Sequence, residues 1–400
     1  MVLLNHQFLH NLAPKTKKRA MITQKAKEIK PFIVMEVMEK AAEMERKGIN
    51  VIHLEVGEPD FNVPQCVSEA VNQAYTEGRT HYTHSLGDPE LREEIAKKYK
   101  REYDVTVSPE QIIVTSGSSP AILLTLGVLC EADDEVILSD PGYACYQNFI
   151  RFIGAKAVKI PVYEEDGFQY RPEEICKRIS EKTKAILINS PMNPTGNLLS
   201  PEVMQDLLKF DVPVISDEIY HGLVYENRAH SILEYSKDAF VLNGFSKLYA
   251  MTGLRLGYVI APQEYIRPMQ KLQQNLFICA SSTAQRAGVS ALKNAAIEVE
   301  QMRKTYDKRR KYLVNRLQKM GFNILVPPTG AFYVFVNAKH LSNNSYNLAF
   351  HILENAHVGV TPGVDFGENG EGFLRFSYAN SIENIEEGCN RLEKYLKIRI

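Results

Sequence analysis

KAILINSPMNPTGNLLSPEVMQDLLKFDVPVISDEIY, residues 184–220, is the stretch on which the architecture turns. Its two apolar runs, KAILINS and VPVISD, read as strands, and the segment from Leu199 to Asp211 has room for a short helix and a turn between them. Strand, helix, strand is the crossover unit of a parallel sheet. The same alternation continues on both sides. VIHLEV, QIIVTS, EVILSD and AVKIPV precede it, FVLNGFS and RLGYVIA follow, and helical or turn segments separate most of them. YEEDGFQY predicts a turn at Asp166 and Gly167, and PEEICKRISEK predicts the helix leading into KAILINS. The expectation is an α/β fold with a large three-layer domain around a mixed, mostly parallel sheet.

The ends of the chain carry other patterns. PFIVMEVMEKAAEMERKG predicts a helix, because Val34, Val37, Met38, Ala41 and Met44 recur at three- and four-residue steps before a stop at Gly48; its methionines read as ordinary core residues. A long charged helix over residues 298–320 carries Tyr306, Leu313 and Leu317 as an apolar stripe. Beyond it, strand candidates FNILVP, AFYVFVNA, VGVTPG and FLRFSYA, with helices near 346–355 and 383–395, suggest a smaller α+β domain. The expected division is an N-terminal arm and helix over residues 1–50 packed with the small domain, a large domain over 51–300 and a small domain over 301–400.

Composition narrows the function classes. The 400 residues are 44% hydrophobic, enough for a large core, and 47 Lys plus Arg face 48 Asp plus Glu. That balance gives no global field for nucleic acid or an anionic membrane, and small molecules or further copies of the chain are the expected partners. Six scattered cysteines without a CxxC pair argue against a disulfide framework or structural zinc and for a reducing, cytoplasmic setting. No apolar run reaches membrane-spanning length, and the basic residues Lys15, Lys17, Lys18 and Arg19 follow the early apolar run, unlike a secretory signal. They read as a hydrated arm.

Chemistry becomes legible where polar residues meet strand ends and glycine turns. In TSGSSPAILL, Gly117 permits a close turn, Ser118 and Ser119 offer hydroxyl and amide protons, and Pro120 suits a first helical turn; a phosphate cradle and a plain serine cap both fit. Asn189, Asn193, Pro194 and Gly196 crowd the end of KAILINS. VPVISD ends in Asp217, with Tyr220 three residues on, and that carboxylate can pair with a ring nitrogen, although most lone aspartates at such a place cap a helix or face solvent. NGFSKLYAMTGLRLGYVI then supplies Ser246, Lys247, Thr252 and Arg255 within ten positions.

As an ordered set, from VGEPDF to FLRFSYA, these motifs resemble the fold-type-I pyridoxal-phosphate aminotransferases, class I/II, the family that includes aspartate aminotransferase. The resemblance implies that Lys247 in GFSK carries pyridoxal 5'-phosphate as a Schiff base, that Asp217 in SDEIY pairs with the pyridine nitrogen, and that Asn193 in NPTG and Tyr220 share the phenolic oxygen. It further implies that Ser118, Ser119, Ser246 and Arg255 hold the phosphate, that Tyr143 in DPGY stacks on the ring, and that Gly57 and Arg375, with Asn193, receive the substrate carboxylate. Tyr82 in HYTHSLG resembles a tyrosine that reaches the neighbouring subunit's cofactor, which implies a homodimer with shared sites. One departure is local: Leu254 stands where TGWR often has tryptophan, so a role needing an indole donor is lost.

The expected activity is amino transfer between amino acids and 2-oxo acids through pyridoxamine phosphate, in a ping-pong cycle, with 2-oxoglutarate as acceptor and aspartate the first donor to test against alanine. A carbon–sulfur β-lyase on the same fold and a non-catalytic cofactor-binding regulator are the alternatives. His53, Lys271, Gln274 and Asn275 are candidate polar walls for the substrate side chain.

Overall fold

The computed structural model of the chain describes residues 22–399; the basic arm with Lys15, Lys17, Lys18 and Arg19 lies outside them. Residues 22–30 belong to a unit of their own and hold a short helix, Gln24–Glu28, whose N-cap Thr23 accepts a hydrogen bond from the Ala26 amide at 3.3 Å. Everything from Pro31 onward belongs to the second unit.

Twelve strands run through the described residues of that unit: β1 (Ile52–His53), β2 (Ile112–Thr115), β3 (Glu135–Asp140), β4 (Lys156–Pro161), β5 (Thr183–Asn189), β6 (Val214–Asp217), β7 (Phe240–Gly244), β8 (Gly257–Ile260), β9 (Tyr333–Asn337), β10 (Val358–Gly359), β11 (Thr361–Pro362) and β12 (Phe373–Ser377). Seven form one sheet in the order β2-β8-β7-β6-β5-β3-β4. Only β8 runs against its neighbours, so the expected mixed, mostly parallel sheet is what the sequence forms.

Side chains alternate across the pleat, and here both faces are apolar. Ile112, Val114, Ile186, Ile188 and Val241 enter one core with Leu91, Ile95, Met204 and Ala287 from the covering helices. Ile113, Ala185, Leu187, Ile215 and Leu242 enter a second core with Ala121, Leu124, Ile150 and Met269. Helix, sheet, helix is the predicted three-layer arrangement.

A smaller antiparallel sheet, β11-β12-β9, and the parallel pair β1–β10 come from the two ends of the unit. The predicted stripe Tyr306, Leu313 and Leu317 is buried along the helix Ala296–Lys319. Val37, Ala41 and Met44 of the helix Ile33–Arg46 pack with Leu353 of the helix Ser345–Ala356. Two strand expectations fail for visible reasons. VIHLEV is a strand only at Ile52–His53 and pairs with β10, because the Glu55 carbonyl beyond it turns to accept from Arg375 and Thr361. FNILVP reaches only an isolated bridge between Asn323 and Asn337, where Pro327 and Pro328 supply no amide protons to extend a ladder. The helix expected in PEEICKRISEK is confined to Pro172–Cys176.

Candidate active site

Strand direction gathers the polar motifs on one edge of the large sheet. β2, β5, β6 and β7 all end there and the antiparallel β8 begins there, so the segments after Thr115, Asn189, Asp217 and Gly244 and before Gly257 converge. Register places Asn189 beside Asp217. The convergence encloses a cavity of roughly 430 Å³ lined by Gly57, Ser118, Ser119, Tyr143, Asn193, Asp217, Tyr220, Ser246, Lys247, Arg255 and Arg375. Every cofactor-binding, catalytic and substrate-carboxylate residue implied by the resemblance is therefore in this lining except Tyr82, which is 80% exposed and outside it.

Ser118, Ser119 and Arg255 line the cavity beside a helix N-terminus. Gly117, at φ +99°, is the N-cap of the helix Ser118–Leu129, a left-handed setting that a side chain would strain. A Cβ on Gly257 would lie 2.6 Å from the Gly117 carbonyl carbon, so the start of β8 meets this turn only as glycine. Arg255 closes over the same turn, with its Nη2 2.6 Å from where a Gly117 Cβ would stand. Ser118, Ser119 and the Arg255 guanidinium thus lie together at the first turn of this helix and line the cavity.

Asp217 lines the cavity and is buried. Its Oδ2 accepts from the Tyr146 hydroxyl at 2.7 Å and its Oδ1 from the Ile219 amide at 3.1 Å. Burial pushes its carboxyl up to about 6, against those two hydrogen bonds and the Lys247 charge. Lys247 Nζ donates to the Gly57 carbonyl at 2.7 Å. Burial pushes this amine down to about 8, helped by Arg375 and Arg255 and opposed by Glu58 and Asp217.

Arg375 joins the lining from β12 and is 2% exposed. It donates to Asn193 Oδ1 at 2.9 Å, the Glu55 carbonyl at 2.7 Å and Thr361 Oγ1 at 3.1 Å, all neutral acceptors, and its Nε is buried without a partner. A buried cation with only neutral partners can still pair with an anion. Because Asn193 offers its oxygen to Arg375, its Nδ2 protons are left for the cavity. The Tyr220 hydroxyl lies 3.0 Å from that of Tyr333.

Tyr146, Tyr333 and the face Phe32, Val34, Met35 and Met38 line the cavity without having stood out in the sequence. Tyr146 follows the DPGY motif by three residues and nothing in its spacing marks it. The methionines looked like core; helical periodicity identifies an apolar face without saying whether protein or ligand covers it. None of the four proposed polar wall residues joins the lining. His53 instead binds Glu55 at 2.6 Å and Glu45 at 3.1 Å, Gln274 donates to Ser85, and Asn275 donates to the Lys271 carbonyl.

Known proteins give this geometry a context. The family described as aminotransferase class I and II matches residues 49–392. The (5-formylfuran-3-yl)methyl phosphate transaminase of Methanocaldococcus jannaschii is 41% identical over 94% of this chain and 100% of that one. Aspartate aminotransferase of Pyrococcus horikoshii is 39% identical over 95% and 98%. Among solved structures, aspartate aminotransferase from Thermus thermophilus with maleate superposes with a TM-score of 0.89 at 35% identity, covering 93% of this chain and 99% of the other. The chain belongs to the class I and II aminotransferases and is a pyridoxal-phosphate enzyme of that family.

Proposed function

We propose that the enzyme transfers amino groups from amino acids to 2-oxo acids in a ping-pong cycle, with 2-oxoglutarate as acceptor. The observation that carries this reading is Arg375: a buried guanidinium with neutral partners, in the same cavity as the Lys247 amine and the Asp217 carboxylate. A substrate carboxylate on Arg375 would bring the rest of an amino acid within that cavity.

The residues present fit pyridoxal phosphate. Gly117, Ser118, Ser119, Ser246 and Arg255 would hold its phosphate, Asp217 its ring nitrogen, Asn193 Nδ2 and the Tyr220 hydroxyl its phenolic oxygen, and Tyr143 one ring face, which the anion-ready turn and the ring-facing groups of the cavity support. When bound, the cofactor supplies an electron sink for the substrate α carbon. Lys247 would anchor it, and its free Nζ would take up the substrate α proton and give it back later in the cycle. An amine lowered to about 8 is suited to both tasks. The Gly57 carbonyl holds that Nζ, and the Glu55 carbonyl two residues earlier holds Arg375.

Two donor classes have support. Relatives named aspartate aminotransferase favour aspartate, whereas the apolar face from Phe32 to Met38 favours a neutral donor such as alanine or a larger amino acid. Aspartate, alanine, methionine and aromatic donors, each assayed with 2-oxoglutarate for catalytic efficiency, separate them, and glutamate is the expected product. Higher efficiency with alanine than with aspartate excludes the acidic donor; pyruvate and ammonia from a β-substituted donor without glutamate replaces transamination by the lyase.

We also propose a cytoplasmic homodimer in which Tyr82 serves the partner's cavity. Its exposure, away from its own chain's cavity, supports this, since a phenol can pack its ring and hydrogen-bond a phosphate. All six cysteines are free, which suits a reducing setting, and no helix among the described residues is long and apolar enough to cross a membrane. The proposed large domain, 51–300, contains the whole seven-stranded sheet; the proposed small one, 301–400, contains β9 to β12 and packs with the helix from the 1–50 segment. Tyr82→Phe is expected to weaken cofactor binding about tenfold by loss of one hydrogen bond to a charged group. Mixing Tyr82→Phe protomers with Lys247→Ala protomers should give dimers with one intact site, so activity rises above that of either variant; no rise in mixed dimers rejects the shared site.

A further inference from the structure

The apolar cavity face belongs to the helix Ile33–Arg46, and that helix begins without a cap of its own. Its N-cap is Phe32, whose side chain accepts nothing. The free amides of Ile33 and Val34 instead donate to the two carboxylate oxygens of Asp365, at 2.9 and 3.2 Å, from more than three hundred residues away in sequence. Asp365 is buried in the turn Gly363–Phe366.

That turn also reaches the carboxylate end of the cavity. The Phe366 ring lies 4.9 Å from the Arg375 guanidinium, and the Phe366 carbonyl accepts from the Gly142 amide, next to Tyr143, at 2.9 Å. Phe32 meets Tyr143 edge-on at 6.2 Å. One short turn therefore sets Arg375, Tyr143 and the start of the apolar face relative to one another. Met35 of that face is 46% exposed and borders the cavity.

We propose that Asp365 is a positioning residue for side-chain selection: by capping the Ile33–Arg46 helix it fixes the wall of Phe32, Val34, Met35 and Met38 against which a bulky apolar substrate side chain packs while its carboxylate rests on Arg375. The proposal depends on the assignment of Arg375 as the carboxylate site and adds the class of side chain the site selects. A carboxylate cap spanning the chain makes wall placement sensitive to one residue that touches no substrate.

Binding of unreactive carboxylates to the holoenzyme, measured by calorimetry, tests this without turnover. Hydrocinnamate carries a phenyl group to the wall, whereas propionate does not. The wild type is expected to bind hydrocinnamate more tightly. Asp365→Ala should weaken hydrocinnamate about tenfold, in line with loss of a helix cap, and propionate less than about twofold. Asp365→Asn keeps one carbonyl acceptor and should fall between. Met35→Ala, at an exposed position that does not threaten folding, should weaken hydrocinnamate about fivefold through lost apolar contact. Equal wild-type affinity for the two ligands, or equal weakening of both by Asp365→Ala, overturns the proposal while leaving Arg375 as the carboxylate site. Failure of the wild type to bind either overturns both.

Discussion

Lys247→Ala is expected to lower amino transfer by about 10⁴-fold, the upper end of what one positioned acid–base group supplies, while the protein still binds pyridoxal phosphate without a covalent link. The size follows from the shortage of substitutes. The other cations of the cavity, Arg255 and Arg375, are guanidinium groups, and Lys247 is its one amine among the described residues. Burial holds the phenols of Tyr143, Tyr146 and Tyr220 well above the ordinary tyrosine range, so they keep their protons. Asp217 is engaged by Tyr146 and the Ile219 amide, and exposed Glu58 accepts from Thr252. Lys247 alone combines an amine with a value near 8, so much of it is neutral at mildly alkaline pH, where a free lysine near ~10.4 remains charged. Lys247→Arg, which retains charge without a transferable proton, should be equally inactive. Single-turnover measurement of α-proton loss checks the expectation; a loss below about tenfold would mean that another group carries the proton.

Asp217→Ala should slow removal of the α proton by about 10²- to 10³-fold, the scale on which a buried charge pair responds when one partner is truncated. Cofactor incorporation should change much less, because Gly117, Ser118, Ser119, Ser246, Arg255 and Lys247 remain. The carboxylate is now raised to about 6 because burial disfavours its charge. A protonated ring nitrogen beside it reverses that preference and draws the value down. The acid limb of the rate profile assigned to Asp217 is therefore expected below pH 6, where the carboxyl takes up a proton and its anionic partnership is lost. Rapid mixing with α-deuterated substrate measures the step directly, and an unchanged rate in Asp217→Ala would reject the electronic role.

Much of this was legible because local chemistry and topology coincide. The strands from QIIVTS to RLGYVIA announce themselves by apolar runs, and strand direction alone then brings Thr115, Asn189, Asp217 and Gly257 to one edge. The motif residues after those strand ends share the cavity for the same reason. What stayed hidden depends on partners far away in sequence. Tyr146 matters through Asp217, Tyr333 through Tyr220, and the Phe32–Met38 face through Asp365, and none of these pairs leaves a mark in local spacing. His53 shows the converse: a histidine that suggests a polar wall is occupied by Glu45 and Glu55, with burial outweighed by those carboxylates so that its value rises to about 9.

Borohydride reduction of the holoenzyme, followed by peptide mass analysis before and after incubation with an amino acid donor, addresses the central claim most directly. The pyridoxyl mass is expected on the peptide containing Lys247, and prior incubation with donor alone should abolish it as the cofactor leaves the lysine in its amine form. Label on a different lysine, or label on Lys247 that persists undiminished after every productive donor, would contradict the assignment.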